Sequence, residues 1–340
     1  MNILKTQWQT SLPSTGDNPV SVHESDGFLY CGSDGHFFKL QLDANGKIVK
    51  KNDLPGRGSH DIRFVMSSDG SMIYLGTDGY AIALRSSDLK TIWQTSLPKT
   101  GDATVNVLLH NNDLYCGSDG LLFRLDASNG SIEAENKLPD RGAHEVRMAL
   151  NSDASLLFVG TDGYALGVDT SYLNTSWQTS LPDTGSNVVS VTTDGNRVYC
   201  GSNGYVYLLD SSGIILSKNP LPDRGNHEVR LLLSDDKKTL FVGTDGYALG
   251  LDAEHLVTSW QRSLPSTGSN VVNLASDSGF LYCGSDGHLY QLDESEAGVI
   301  EGHNGLADRG SHEVRLVVSS EKNRIFVGTD GYALATESDI

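Results

Sequence analysis

No run in this sequence approaches the roughly 18 apolar residues of a membrane helix, so membrane insertion is not expected. Positive charge is scarce. Lys and Arg number 25 against 43 Asp and Glu, for a formal net charge of −18. Duplex nucleic acid and anionic lipid both require a basic footprint, so neither is an expected partner. Cysteine is limited to Cys31, Cys116, Cys200 and Cys283, each within the same "YCGS" setting. Equivalent positions in separate repeats are held apart, which argues against disulfides between them. No CxxC spacing marks a metal site. Buried thiols in a reducing compartment are the expectation. The start, "MNILKTQWQT", lacks the basic n-region and apolar core of a signal peptide, and a cytoplasmic location is expected. No nucleotide loop, metal motif or nucleophile elbow occurs, so no cofactor and no metal are expected. A sustained helical period is also missing.

What is present is repetition. Trp8, Trp93, Trp177 and Trp260 all sit in "WQTSLP" or "WQRSLP", 83 to 85 residues apart. Each period divides again. Its first half carries "LYCGSDG" or a variant, its second "FVGTDGY" or a variant. The unit is therefore about 42 residues, present eight times in two alternating types. A unit of that length with four strand signals is a propeller blade. Asp-Gly between the second and third strand signals marks a tight hairpin. The 37 glycines and 9 prolines suit many turns. The last repeat stops after its third strand, and residues 1–11 match the missing fourth. The expected fold is all-β: an eight-bladed β-propeller of four double-blade repeats, its last blade closed by the N-terminal strand. It forms a single domain over 1–340, with repeats at about 12–96, 97–180, 181–263 and 264–340 plus 1–11.

The segments "LYCGSDGHLYQLD" (281–293) and "LYCGSDGHFFKLQLD" (29–43) resemble the repeat of PQQ-like β-propellers, the quinoprotein-dehydrogenase-like superfamily. The resemblance covers essentially the whole chain and implies the propeller fold. It says little about function, because such blades serve many roles. Trp departs from the family pattern by appearing only in alternate blades; its counterparts elsewhere are Lys50, Ala134, Ser217 and Gly302. No quinone or calcium site accompanies the repeat.

The two ends of the ring differ in constancy. One carries loops that vary between copies, such as "SSDGSM", "NSDASL" and "SDDKKT". The other carries "GTDGY" hairpins and the crossovers "SLPxTG" and "RGxHE", nearly unchanged in all four copies. Turn chemistry explains Asp-Gly and Pro there. It does not require Tyr80, Tyr164, Tyr247 and Tyr332, nor His60, His144, His227 and His312, nor Arg57, Arg141, Arg224 and Arg309. These residues, with Asn18, Asn187 and Asn270 of the first-type blades, are the candidate ligand-binding set. Ala103 breaks the Asn series. Arg63, Arg147, Arg230 and Arg315 follow each His by three positions, opposite Ser21, Asn106, Ser190 and Asn273 of the other blade type. They are read as lining a polar, partly cationic funnel, or as pairing with an acid between blades. The four Trp residues are expected in inter-blade packing, with a sugar-stacking platform as the alternative.

The primary functional expectation is a multivalent ligand-binding propeller with lectin-like carbohydrate recognition, its partner a small polar molecule or glycan. One alternative is a lyase, isomerase or cyclase with a single His/Arg/acid site in the funnel. A second is a protein–protein scaffold.

Overall fold

Blade two shows how the repeat folds. Its strands are Arg63–Met66, Met72–Thr77, Tyr80–Arg85 and Thr91–Ser96. They pair antiparallel in sequence order, from the axis outward. The two middle strands are buried almost throughout, while the outer strand alternates between exposed and half-buried. Asp78 and Gly79 both take positive φ (46° and 70°), which is the hairpin geometry the Asp-Gly pair favours. Blades of this form recur eight times around a ring, and no helix occurs among the described residues. The computed structural model describes residues 2–54, 56, 61–138, 145–221, 228–306, 313–319 and 324–337. Counting from blade one at Ser21–Ser25, the remaining inner strands begin at Asn106, Arg147, Ser190, Arg230, Asn273 and Arg315 for blades three to eight.

The hydrophobic core is divided into eight clusters, one at each blade–blade interface. Close approach there depends on the glycine of "YCGS" and "FVGT". A Cβ on Gly76 would lie 2.2 Å from the Val105 carbonyl of the next blade, and one on Gly243 would lie 2.2 Å from the Val272 carbonyl. The cysteines occupy four different interfaces, all buried and free.

The tryptophans pack between blades, as the alternating pattern implies. The Trp93 indole N–H donates to the Ala127 carbonyl (2.9 Å), and that of Trp177 to Ser211 (2.9 Å). Trp8 covers Gly46, where an added Cβ would meet the ring at 2.4 Å. The Thr two residues after Trp ties the same interface: Thr10 to the Gly46 carbonyl, Thr95 to Gly130, Thr179 to Gly213. Where the motif reads "WQRSLP", the Arg262 guanidinium makes the bond to Gly298 instead (3.1 Å).

The ring closes through the N-terminal segment. Lys5–Ser11 pairs antiparallel with Tyr332–Glu337 and becomes the outer strand of blade eight. One detail goes beyond the sequence expectation. Asn2–Ile3 runs parallel to Val299–Gly305 and adds a fifth strand to blade seven. Between the two lies Leu4, fully buried, its N–H donating to the His303 carbonyl. Asn304 donates to the Leu4 carbonyl and the Thr6 hydroxyl. Asn52 makes the same two bonds to Leu89 and Thr91, as Asn136 does to Leu173 and Thr175. The closure seam thus copies an internal blade interface.

Candidate functional site

The constancy of the "SLPxTG" crossovers and "GTDGY" hairpins has a packing cause. In each second-type blade the crossover folds back onto the hairpin. Leu97 N–H donates to the Gly79 carbonyl, and Gly79 N–H to Ala103; the other three copies repeat both bonds. The Thr of "SLPxTG" caps its own turn, Thr100 donating to the Leu97 carbonyl at 2.8 Å. A Cβ on Gly163 would approach the Gly185 carbonyl to 1.9 Å. Any change in one loop must therefore be matched in the other.

The sequence-derived residues fall on this end as follows. Asn187 donates to the Thr184 carbonyl within the crossover turn (2.7 Å), and Asn18 and Asn270 approach Thr15 and Thr267 in the same way (both 3.5 Å). Tyr80, Tyr164, Tyr247 and Tyr332 open the third strands and are half-buried. Each packs beside the Leu of the preceding crossover, as Tyr80 does with Leu54 and Tyr164 with Leu138. His60, His144, His227 and His312, and Arg57, Arg141, Arg224 and Arg309, lie outside the described residues.

The four inner-strand arginines build one connected structure at the axis. Arg63 pairs with Asp61 (2.9 Å) and reaches Glu145 (3.7 Å). Arg147 pairs with Glu145 (3.2 Å) and with Glu228. Arg230 pairs with Glu228 (3.0 Å) and Glu313 (3.1 Å). Arg315 pairs with Glu313 (3.0 Å) and, with two nitrogens, with Asp61 (2.5 and 2.6 Å). The last acid is the first, so the circuit is closed around the axis. Each acid stands two residues before its Arg, on the same side of an extended chain by the period-two rule. The next link skips the intervening first-type blade.

That skipped blade fills the gap in one of two ways. Ser21 and Ser190 accept from Arg315 and Arg147. Asn106 and Asn273 instead donate to Glu145 and Glu313 (2.9 and 3.1 Å). The fourfold repeat thus carries twofold chemistry at its centre. Arg147 and Arg315 use their Nε–H on Glu145 and Glu313. Arg63 Nε and Arg230 Nε, on opposite blades, are buried with no hydrogen-bond partner among the described residues.

Charges in the ring control each other. Burial is the largest influence on Asp61 and pushes it upward, but Arg63 and Arg315 outweigh it and hold the carboxyl below its ordinary range. Glu145 and Glu313 are likewise pushed up by burial and carried well below by their arginines. Burial, then the neighbouring Arg147, draws Arg230 down to about 10, which leaves it charged at neutral pH. Four cations and four anions cancel. The expectation of a cationic funnel is corrected accordingly.

Each inner strand also contributes one apolar side chain to an otherwise polar axial wall, which sequence reasoning missed. Two connected halves of an axial chamber, about 330 and 270 Å³, share Arg63, Asn106 and Val107. Val22, Phe64, Leu274 and Leu316 line one half, and Met148, Val191 and Leu231 the other. The signal was available: the second residue of every inner strand is apolar.

A second cavity, about 400 Å³, opens at the variable end between blades six and seven. Asp235 and Asp236 come from one inner loop, Asp277 from the next, and Glu294 from the following turn; Phe241 and Trp260 also line it. Burial chiefly, and then Asp235, Asp236 and Asp293, raise the Glu294 carboxyl above its usual value. Lys238 meets Asp236 at 3.4 Å from an exposed position.

No protein-family model matches this chain, and comparison with the curated proteins finds no relative. Solved structures match over nearly its full length. It is similar to BamB from Moraxella catarrhalis, with 17% identity and TM-score 0.71, covering 99% of this chain and 98% of that one. It is similar to the quinohemoprotein alcohol dehydrogenase from Comamonas testosteroni, with 12% identity and TM-score 0.75, covering 98% and 76%. The Sqt1 of Chaetomium thermophilum, solved bound to the N-terminus of the ribosomal protein L10, matches at 16% identity and TM-score 0.78, covering 98% and 100%. At these identities the likeness establishes the fold alone, and the eight-bladed propeller expected from sequence is the one found. The expected partner, a small polar molecule or glycan, is corrected. The neighbour solved with a partner holds a segment of another protein, and the axial arginines that were to attract a polar ligand are already neutralised. Among the described residues no helix is long and apolar enough to cross a membrane.

Proposed function

We propose that this chain is a protein-binding propeller whose partner presents a positively charged segment. The observation that carries the reading is the cleft between blades six and seven. It crowds four carboxylates beside Trp260, and burial with its acidic neighbours raises the Glu294 carboxyl above its usual value. A Lys or Arg side chain would relieve that repulsion and stack on the partly exposed Trp260. The net charge of −18 adds long-range attraction for the same kind of partner. The likeness to Sqt1 supports a protein segment as the occupant. The Tyr-bearing end, with the four histidines and crossover arginines, is retained as a second contact surface. The reading treats 1–340 as one cytoplasmic domain with the repeat boundaries given above; four buried free thiols suit that compartment.

Fluorescence anisotropy with short Lys/Arg-rich, Asp/Glu-rich and Ser/Gly-rich peptides tests it. Only the basic peptide should bind, more weakly at higher salt. Glu294→Gln with Asp277→Asn should weaken it about tenfold, the size of one lost charge-assisted contact. Affinity should also fall with acid, because protonated Glu294 no longer attracts a cation. Equal binding of all three peptides, or none by the basic one, would defeat the reading.

A further inference from the structure

Blade seven brings two histidines together. His288 opens its third strand, and His303 lies in its outer strand, Val299–Gly305. The register pairs Tyr290 with His303 and His288 with Gly305, so His288, Tyr290 and His303 share one face. His288 Nδ1 and His303 Nε2 stand 3.1 Å apart. The two imidazoles are stacked (5.3 Å between centroids, 26°), and His303 also stacks on Tyr290 (4.6 Å, 19°). Tyr290 is buried and its hydroxyl donates to the Pro265 carbonyl, which fixes the platform. The other first-type blades place different residues here: His36 and Lys51 in blade one, Leu121 and Glu135 in blade three, Tyr205 and Lys218 in blade five. In blade one Asp53 stands opposite His36 and occupies its Nδ1 (2.8 Å). Blade seven has Gly305 at that position, where an added Cβ would meet nothing nearer than the His288 ring at 3.6 Å. The Gly305 side of the pair is therefore open.

We propose that His288 Nδ1 and His303 Nε2 chelate one transition-metal ion of the zinc, nickel or copper class. Imidazole nitrogens bind zinc at about 2.0–2.1 Å, so two of them on one ion lie about 2.9 Å apart at a right angle and about 3.3 Å apart at a tetrahedral one. The 3.1 Å found between them falls inside that span. The proton of the inter-ring hydrogen bond moves to the donor ring's other nitrogen. Each ring then stays neutral, and both facing lone pairs are free for the metal. Stacking on Tyr290 holds the rings before the ion arrives, so little rotamer freedom is lost on binding. Calcium and magnesium prefer oxygen ligands and do not suit two imidazoles. Among the described residues no group of three or more His, Cys, Asp and Glu side chains could hold a metal, so water fills the remaining positions on the ion. The pair lies at the hairpin end of blade seven and is independent of the acidic cleft and of the protein-binding reading.

The rings are their own reporters. Protein labelled with ¹⁵N at histidine would be titrated with zinc chloride at about pH 7.5 while NMR follows the imidazole nitrogens. The expected result is a saturable, one-site shift of His288 Nδ1 and His303 Nε2 together. Calcium and magnesium chloride should move neither. His288→Tyr and His303→Lys install the residues that blade five carries at the same two positions, so the fold already accommodates them. Each should weaken zinc at the remaining ring at least tenfold, and either suffices if the other does not fold. A pair of signals that stays fixed in excess zinc would overturn the proposal. So would a shift of one ring without the other, coordination through His288 Nε2, an equal response to calcium or magnesium, or undiminished zinc affinity in either variant.

Discussion

Replacing Arg315 by Met would open the ion-pair circuit at its best-connected point. The Arg315 side chain is 9% exposed and holds Asp61 with two nitrogens, Glu313 with two, and the Ser21 hydroxyl. Its loss leaves Asp61 and Glu313 each with one remaining arginine, Arg63 and Arg230. Breaking a buried pair by removing one partner costs about 3–5 kcal/mol. The retained partners and the partial exposure of both acids place this case near the lower end, about 3 kcal/mol. An unfolding entropy of about 2.1 cal/mol/K per residue means that 1 kcal/mol moves the Tm of a chain this size by about 1.4 °C. Differential scanning calorimetry should therefore show a drop of about 4 °C. Arg63→Met is the internal control. Arg63 is 21% exposed, sits 3.7 Å from Glu145 and has no Nε partner among the described residues. Its loss should cost about half as much. Combining Arg315→Met with Asp61→Asn should reveal a coupling above about 1 kcal/mol. Equal shifts for the two arginines, or a coupling near zero, would refute the view of the ring as a connected structural element.

Three further outcomes follow from the same geometry. Asp61, Glu145 and Glu313 have depressed folded values, so their stabilisation is complete above the unfolded range of 3.8 to 4.5 and is lost as pH falls through the folded values; Tm should hold from pH 7 to about 5.5 and decline below about 5. Leu4→Ala should cost about 2–5 kcal/mol through the cavity left at the closure seam, read from the urea midpoint, and deletion of residues 1–11 should cost far more. Burial pushes the Cys200 thiol up to about 12 and raises the other three as well, so a thiol reagent at pH 8 should count none in the native protein and four after denaturation without reductant.

Much of the architecture was legible because it is local and repeated. Asp-Gly hairpins report a short-range rule, and the match of "LKTQWQTSLP" to "LKTIWQTSLP" reports the repeat. The parallel pairing of Asn2–Ile3 was not legible, since two residues carry no periodicity. The site was legible in part. The acid and Arg two positions apart predict a local pair, but the link from Arg147 to Glu228 depends on the channel diameter, which no local pattern encodes. The acidic cleft joins residues from three separate loops, each unremarkable alone. Constancy among copies pointed to the crossover end, where the "SLPxTG" crossovers prove to dock on the "GTDGY" hairpins.

The seam has a consequence for biosynthesis. Asn304 grips Leu4 across 300 positions of chain, and the outer strand of blade eight is laid down before any other strand of that blade. At translation rates of about 5–20 residues per second, the first strand waits roughly 15 to 65 seconds for its partner. During that interval blades one to seven can form in order, each supported by its neighbour, while the first strand stays unpaired. Ring closure is then a late, non-local event. A ribosome that stalls in the last repeat would release an open arc with adhesive edges at both ends, so the final double blade is where quality control on this protein has most to do.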